Sequence, residues 1–355
     1  MSHPYSRLPD RNFWRSAVAE RNPLEWRDLY APKFEITRSM RIVSAGSCFA
    51  QHIGRQLLRS GFHYQQHEKP PGILAPEDHA RFGYGLFSTR SGNVYTARQL
   101  LQLYRRATGA FRPAEDVVLW EGRAYDPFRP SVEPGGFASA EELRHIRDTV
   151  HFPAVRRMFL QAELLVFTLG LTEAWVSKED GAVHPTCPGT ICGRFDSARH
   201  GFHNFTFAEV MRDMEELLAA LRQRNPALKV LLTVSPVPLT ATAEDAHVLV
   251  ATTHSKSVLR AVAGELSAAH DFVDYFPSYE IVTAPAMRGA FFQPNLREVS
   301  AAGVELVLRH FFAAHGGEAP ATPPPETPAS TRTRPDDSPE GDIICDEAKL
   351  ELVRF

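Results

Sequence analysis

The stretch at residues 41–58, RIVSAGSCFAQHIGRQLL, restricts what this chain can fold into. Ile42-Val43 is an apolar pair too short for a helix of its own. The small residues Ser44-Ala45-Gly46-Ser47-Cys48 follow it, and then Phe49, Ile53, Leu57 and Leu58 recur at helical spacing. The pattern predicts a strand, a tight turn and a helix. Gly46 admits a turn where a side chain would clash. Ser47 then falls at the carboxyl end of a strand and the amino end of a helix, where open α/β sheets bind their ligands. A helix N-terminus also offers unpaired N–H groups and partial positive charge to a developing oxyanion. Ser47 can equally be a plain N-cap, and the local pattern leaves both readings open.

Further along, residues 164–169 and 229–234 are continuous apolar runs, as expected of strands buried on both faces, and 272–276 reads as another. Residues 62–64 are a candidate second strand. Helical periodicity marks 96–107, 207–222, 252–269 and 299–312, and Ser139 with Glu142 predicts a capping box at the start of a helix reaching about residue 150. Strands alternating with helices predict a three-layer α/β/α sandwich with a mostly parallel sheet. Residues 1–39 read as a polar lead anchored on the main domain (40–314) by Trp14, Trp26, Tyr30 and Phe34. Residues 315–341 are rich in Pro, Thr, Ser and charge, which predicts a disordered linker. Residues 342–355 regain apolar character and read as a short docking segment, for the body or for a partner, or as a frayed end.

Acidic residues number 42 and basic residues 39, so no nucleic acid or anionic membrane is implied as a partner. No apolar run is long enough to span a bilayer, and the N-terminus lacks an apolar signal core, so a cytoplasmic location is expected. Cys48, Cys187, Cys192 and Cys345 show no paired metal spacing and read as free thiols, with Cys187 and Cys192 as an alternative redox or metal half-site. No metal or organic cofactor is implied, and the oligomeric state is not readable.

Gly46-Ser47-Cys48-Phe49-Ala50 resembles the signature of the GSCFA family, within the wider SGNH (GDSL-like) esterase superfamily. Phe167 to Trp175, Ser235 to Leu239, Ser255 to Arg260 and Tyr275 to Glu280 resemble further blocks of that family in the same order, over residues 28–312. The resemblance implies a flavodoxin-like strand order, with Ser47 as nucleophile. It further implies oxyanion donors: the Ser47 amide, a glycine of a second block (Gly83 or Gly85), and Gly170 with Thr172, where the superfamily has Gly-x-Asn. A threonine hydroxyl can donate one such hydrogen bond. Glu173 is placed to orient substrate or base. Most of the superfamily carries an Asp and, three residues on, a His as base. Here Asn295 and Glu298 stand in those places.

Three accounts of the base stay open. Glu298 acts directly, its pKa raised by burial; a histidine from another loop, His184, His203 or His254, takes the role; or the site binds without turnover. Asn295, Arg297 and Tyr279 are candidate substrate contacts. Lys256 lies between Ser255 and Ser257 at a spacing that does not fit Ser-x-x-Lys, and Ser255 reads as a helix cap. The implied activity is serine-dependent ester hydrolysis or O-acyl transfer on a small-molecule or carbohydrate ester. The alternative is a catalytically silent scaffold whose tail engages a partner.

Overall fold

The chain's computed structural model describes residues 3–315 and 346–352. Strand β1 (Ile42–Gly46) turns at once into helix α1 (Phe49–Arg59). Helix α2 (Ala97–Thr108) starts behind a full capping box made by Thr96 and Gln99. A hairpin, β2 (Val118–Trp120) and β3 (Arg123–Tyr125), leads to α3 (Ala140–Ile146), which runs through a wide turn into α4 (Phe152–Gln161). Then come β4 (Leu164–Leu169), β5 (Glu173–Ser177), β6 (Val183–His184), β7 (His200–Asn204) and α5 (Phe207–Arg224). The body closes with β8 (Lys229–Val234), α6 (Val248–Ala269), β9 (Val273–Tyr275), α7 (Ser278–Thr283) and α8 (Ala301–Ala314), and a short α9 (Lys349–Leu352) lies beyond it.

The central sheet is parallel, in the order β1-β4-β8-β9. On the free edge of β1, Tyr64 makes a single parallel bridge to Ile42, so the expected strand at 62–64 is reduced to one rung. Counting that rung, the strand order is flavodoxin-like. Period-two alternation sends Ile42, Leu164, Val166 and Leu231 to a core shared with Phe49 and Ile53 of α1 and Phe311 of α8. Val43, Leu165, Phe167 and Leu232 go to the opposite core, with residues of α2, α4, α5 and α6. Each such large side chain, buried completely, contributes roughly 1.5–3 kcal/mol. This is the expected α/β/α sandwich. A smaller antiparallel sheet, β6-β5-β7, grows from the chain that leaves β4.

Several local expectations shift. Helix α6 begins at Val248 behind His247, whose side chain accepts the Leu249 amide, so Ser255 is no cap. It lies two turns inside the helix, and both Ser255 and Lys256 face the body, buried. Glu142 accepts the amide of Ala138 rather than that of Ser139. In the lead, Trp26 is buried and Val18, Tyr30 and Phe34 pack on the core, but Trp14 is 69% exposed and is no anchor. The linker expected at 315–341 lies, after His315, outside the described residues, as do Cys345 and the ends of the 342–355 segment.

One buried charge cluster organises the loop between α1 and α2. His151 Nδ1 meets Glu68 at 2.7 Å, Arg129 Nε meets Asp126 at 2.8 Å, and the Arg106 guanidinium lies 3.6 Å from Asp126. The Arg90 amide donates to Glu68 at 2.8 Å, which ties residues 88–95 to this cluster. Burial alone would raise the Glu68 pKa. The His151 ring, the Arg129 guanidinium and the Arg90 amide outweigh it and hold the carboxyl down, from 4.5 to about 2. Burial and the Arg129 charge push the His151 imidazole down, against the upward pull of the Glu68 carboxylate it contacts.

A depressed folded pKa means that Glu68 contributes stability above its ordinary pKa of 4.5, and this is lost as pH falls toward about 2. Urea unfolding at stepped pH should show that loss in the wild type and a flatter profile in Glu68→Gln. At pH 7 the variant should be less stable by about 3 kcal/mol, because the buried Arg129 guanidinium loses its anionic partner and one carboxylate oxygen is replaced by an N–H donor.

Candidate active site

Ser47 sits where β1 hands over to α1, beside the carboxyl end of β4. Between strands whose following segments leave in different directions, this is the switch point of the sheet. Its position rests on two glycines. Gly46 has φ 147°, and a Cβ on it would stand 2.6 Å from the Thr168 carbonyl oxygen. A Cβ on Gly170 would stand 3.0 Å from the Ser47 Cβ and 3.0 Å from the Tyr95 carbonyl oxygen. Ser47 is 3% exposed, and its Oγ is buried with no hydrogen-bond partner among the described residues.

Residues 93–95 cross this turn. The Val94 amide donates to the Gly46 carbonyl at 2.9 Å, and the amides of Gly170 and Leu171 donate to the Tyr95 carbonyl at 2.9 and 3.2 Å. Gln51, one turn into α1 from Ser47, donates its amide to Asn93 Oδ1 at 3.4 Å. That directs the Asn93 amide nitrogen the other way, where it donates to Asp346 Oδ2 at 2.9 Å. The Glu347 amide meets the Tyr95 hydroxyl at 3.4 Å, and the Glu347 carboxylate lies 3.5 Å from the Arg297 guanidinium. Lys256 is 2% exposed and donates from Nζ to the Gly170 carbonyl at 2.5 Å.

The expected oxyanion donors are largely committed to the fold. The Ser47 amide extends the β1–β4 ladder by donating to Thr168 O at 3.2 Å. The Gly170 amide is bound to Tyr95. The Thr172 hydroxyl donates to Asn204 Oδ1 at 2.6 Å, with Asn204 oriented in turn by Glu244 at 3.1 Å. Gly83 faces Val132 and Gly85 faces Gln66, so the loop whose backbone bonds to the Ser47 turn is 93–95 and not 82–85. In the first turn of α1 the amides of Ala50 and Gln51 are taken by the carbonyls of Ser47 and Cys48. Among the described residues the Phe49 amide has no acceptor, as expected of a helix N-terminus.

The expected bases are dispersed. Glu298 is exposed rather than buried beside Ser47. Asn295 closes its own turn by accepting the amides of Arg297 and Glu298, each at 3.0 Å, and only Arg297 of this loop turns inward toward Glu347. His184 is stacked on Phe128, and burial pushes its imidazole down to about 4. His203 is held by Glu209 at 2.9 Å, and His254 is exposed on α6. Tyr279 packs on the core beneath α7. Glu173 accepts the Thr242 hydroxyl at 2.8 Å, and burial pushes its carboxyl up despite that bond. It lines a cleft of about 620 Å³ with Trp175, Phe202, Leu239 and Leu350. A second cavity, of about 730 Å³, holds His184, His200, Cys187 and Cys192.

Asn93 is a residue that sequence reading missed, and Lys256 one that it weighed and set aside. A Gly-Asn pair directly before Val94-Tyr95 and the capped helix is a signal that could have found Asn93. The burial of Lys256 became visible only once the true start of α6 was known. Among the described residues no group of three or more His, Cys, Asp or Glu could hold a metal ion, and no helix is long and apolar enough to cross a membrane. Cys48, Cys187 and Cys192 are free thiols.

A protein-family model described as the GSCFA family matches residues 41–311. Among curated proteins no match was found. Among solved structures the chain is similar to an acetyl xylan esterase, Est2A, from the rumen bacterium Butyrivibrio proteoclasticus. The two share 11% identity at a TM-score of 0.25, over 68% of this chain and 56% of that one, little more than half its length.

A methyl group at position 46 has nowhere to go except into the β4 backbone. Gly46→Ala should therefore destabilise the fold by about 3 kcal/mol or more, measured by urea unfolding, whereas Gly61→Ala, whose Cβ would meet open space, should cost only about 1 kcal/mol from its positive φ.

Proposed function

The chain belongs to the GSCFA family, and from that premise we propose that it performs ester chemistry with Ser47 as nucleophile. The observation that carries this reading is the placement of Ser47 at the switch point, wedged by Gly46 and Gly170, with the buried Lys256 amine on the Gly170 carbonyl. A serine needs a group to take its proton, and a lysine in a desolvated pocket can serve as a neutral base. In the proposed reaction Ser47 Oγ attacks the acyl carbonyl while its proton passes toward Lys256. The negative charge forming on the carbonyl oxygen is received by the Asn93 side-chain amide and the Phe49 N–H. The C–O bond to the alcohol then breaks, and the alcohol leaves with the proton, giving an acyl-serine. Water completes hydrolysis; a second hydroxyl in its place makes the reaction an O-acyl transfer. The superfamily resemblance favours an acylated carbohydrate or another small ester as substrate. Glu173 acts through the shape and charge of the surrounding cleft rather than on the reacting atoms.

The second reading, a binding protein without turnover, is favoured by one observation. Ser47 Oγ is buried and, among the described residues, has no hydrogen-bond partner, while the Thr172 hydroxyl and the Ser47 amide are spent on structure.

A fluorophosphonate probe separates the two. Wild-type protein should label on Ser47, and Ser47→Ala should not label. Lys256→Met should label roughly 100-fold more slowly, the usual size of a lost general base. Glu298→Gln should label like wild type, because that carboxylate is exposed. Absence of labelling in every variant, with no turnover of short p-nitrophenyl esters, would establish the binding reading instead.

A further inference from the structure

Asp346 and Glu347 reach the Ser47 site from the far end of the chain. Asp346 is 1% exposed. One of its oxygens accepts the Asn93 amide at 2.9 Å, and the other is buried with no hydrogen-bond partner among the described residues. The segment is tied to residues on both sides of the serine turn: to Asn93, which Gln51 of α1 orients, and to Tyr95, whose carbonyl holds the Gly170 amide. Charge adds a third tie, Glu347 against Arg297. Among the described residues of the segment none belongs to a hydrophobic core cluster, so its described ties to the body are polar. Burying a carboxylate oxygen without a donor is costly, so the docked state is held with little to spare.

The chemistry of the contact is specific. The donor that Asp346 occupies is the amide assigned above to the reacting carbonyl oxygen. The group it holds is a carboxylate, and ester hydrolysis leaves a carboxylate on the acyl side. We infer that Asn93 is the donor of a carboxylate-binding subsite beside Ser47, that Asp346 of the chain's own C-terminal segment is its resting occupant, and that Tyr95 and Arg297 hold that segment in place through Glu347. In calling that occupant product-like the inference rests on the proposed ester chemistry; the binding itself does not. An acid product, or an ester carrying a carboxylate, enters by displacing the segment.

The test uses full-length chain carrying Asp346→Ala, whose own segment has lost its anchor, and a fluorescein-labelled peptide of residues 342–355. Fluorescence anisotropy should show saturable binding of the wild-type peptide. Peptides carrying Asp346→Ala or Asp346→Asn should bind at least tenfold more weakly. Wild-type chain, its subsite already filled, should also bind the wild-type peptide at least tenfold more weakly. Ser47 should label with the fluorophosphonate at least fivefold faster in the Asp346→Ala chain than in wild type. Absence of saturable binding, equal binding of the three peptides, or slower labelling of the Asp346→Ala chain would each overturn the inference. Peptide binding as expected, with no chain labelled, would uphold the subsite and reject the ester chemistry.

Discussion

The contact between Gly46 and the backbone of Thr168 is the constraint around which the site is arranged. Two parallel strands meet at their carboxyl ends with no room for a methyl group between them. The chain must leave β1 at that point, and Ser47 is the first residue past it. A second glycine, Gly170, presses on the serine from the β4 side. The serine is thus positioned by backbone sterics rather than by hydrogen bonds to its side chain. The same economy fixes what remains for chemistry. Amides of Ser47, Gly170 and Leu171 are used to join β1, β4 and the 93–95 segment, so the proposed reaction assigns its polar duties to neighbours: a side-chain amide at 93, a helix-terminal N–H at 49, an amine at 256.

That division of labour depends on the loop carrying Asn93. It has little regular structure of its own, and its path is set by Glu68, which takes the Arg90 amide, and by Arg90, which reaches the Phe82 and Val132 carbonyls. A buried ionic cluster is a poor source of net stability compared with packed apolar groups, and its better-attested use is to single out one arrangement. Here the arrangement it selects is the register of a loop that would otherwise have many.

The layered fold was legible because a doubly covered parallel strand must be apolar throughout, as at Leu164–Leu169 and Lys229–Val234, and because helical periodicity is strong in the segments that cover it. The position of Ser47 was legible as well: a short strand, small residues and a helix leave one turn between them for it to occupy. The supporting residues were not. Phe82-Gly83-Tyr84-Gly85 and Ser91-Gly92-Asn93 look alike as sequence, and only the tertiary path shows which lies on the serine. Which of Glu298 and Arg297 turns inward depends on a turn closed by the Asn295 side chain. Lys256 was misplaced because a helix beginning Val-Leu-Val-Ala has little intrinsic preference to begin there. The His247 cap decides it, and moving the start back by one turn changes the reading of Ser255 from a cap to a buried partner of the Thr172 amide.

Asp274 gives the lead segment a meaning beyond packing. The carboxylate of this β9 residue is nearly inaccessible, and one of its oxygens receives both the Tyr30 hydroxyl, at 2.8 Å, and the Lys33 amide, at 2.9 Å. Both donors precede residue 41, where the family match begins. The stretch recognisable by descent is therefore smaller than the stretch that is chemically self-sufficient. A polypeptide trimmed to the former would keep every strand of the parallel sheet and strand an anion beneath its outermost one.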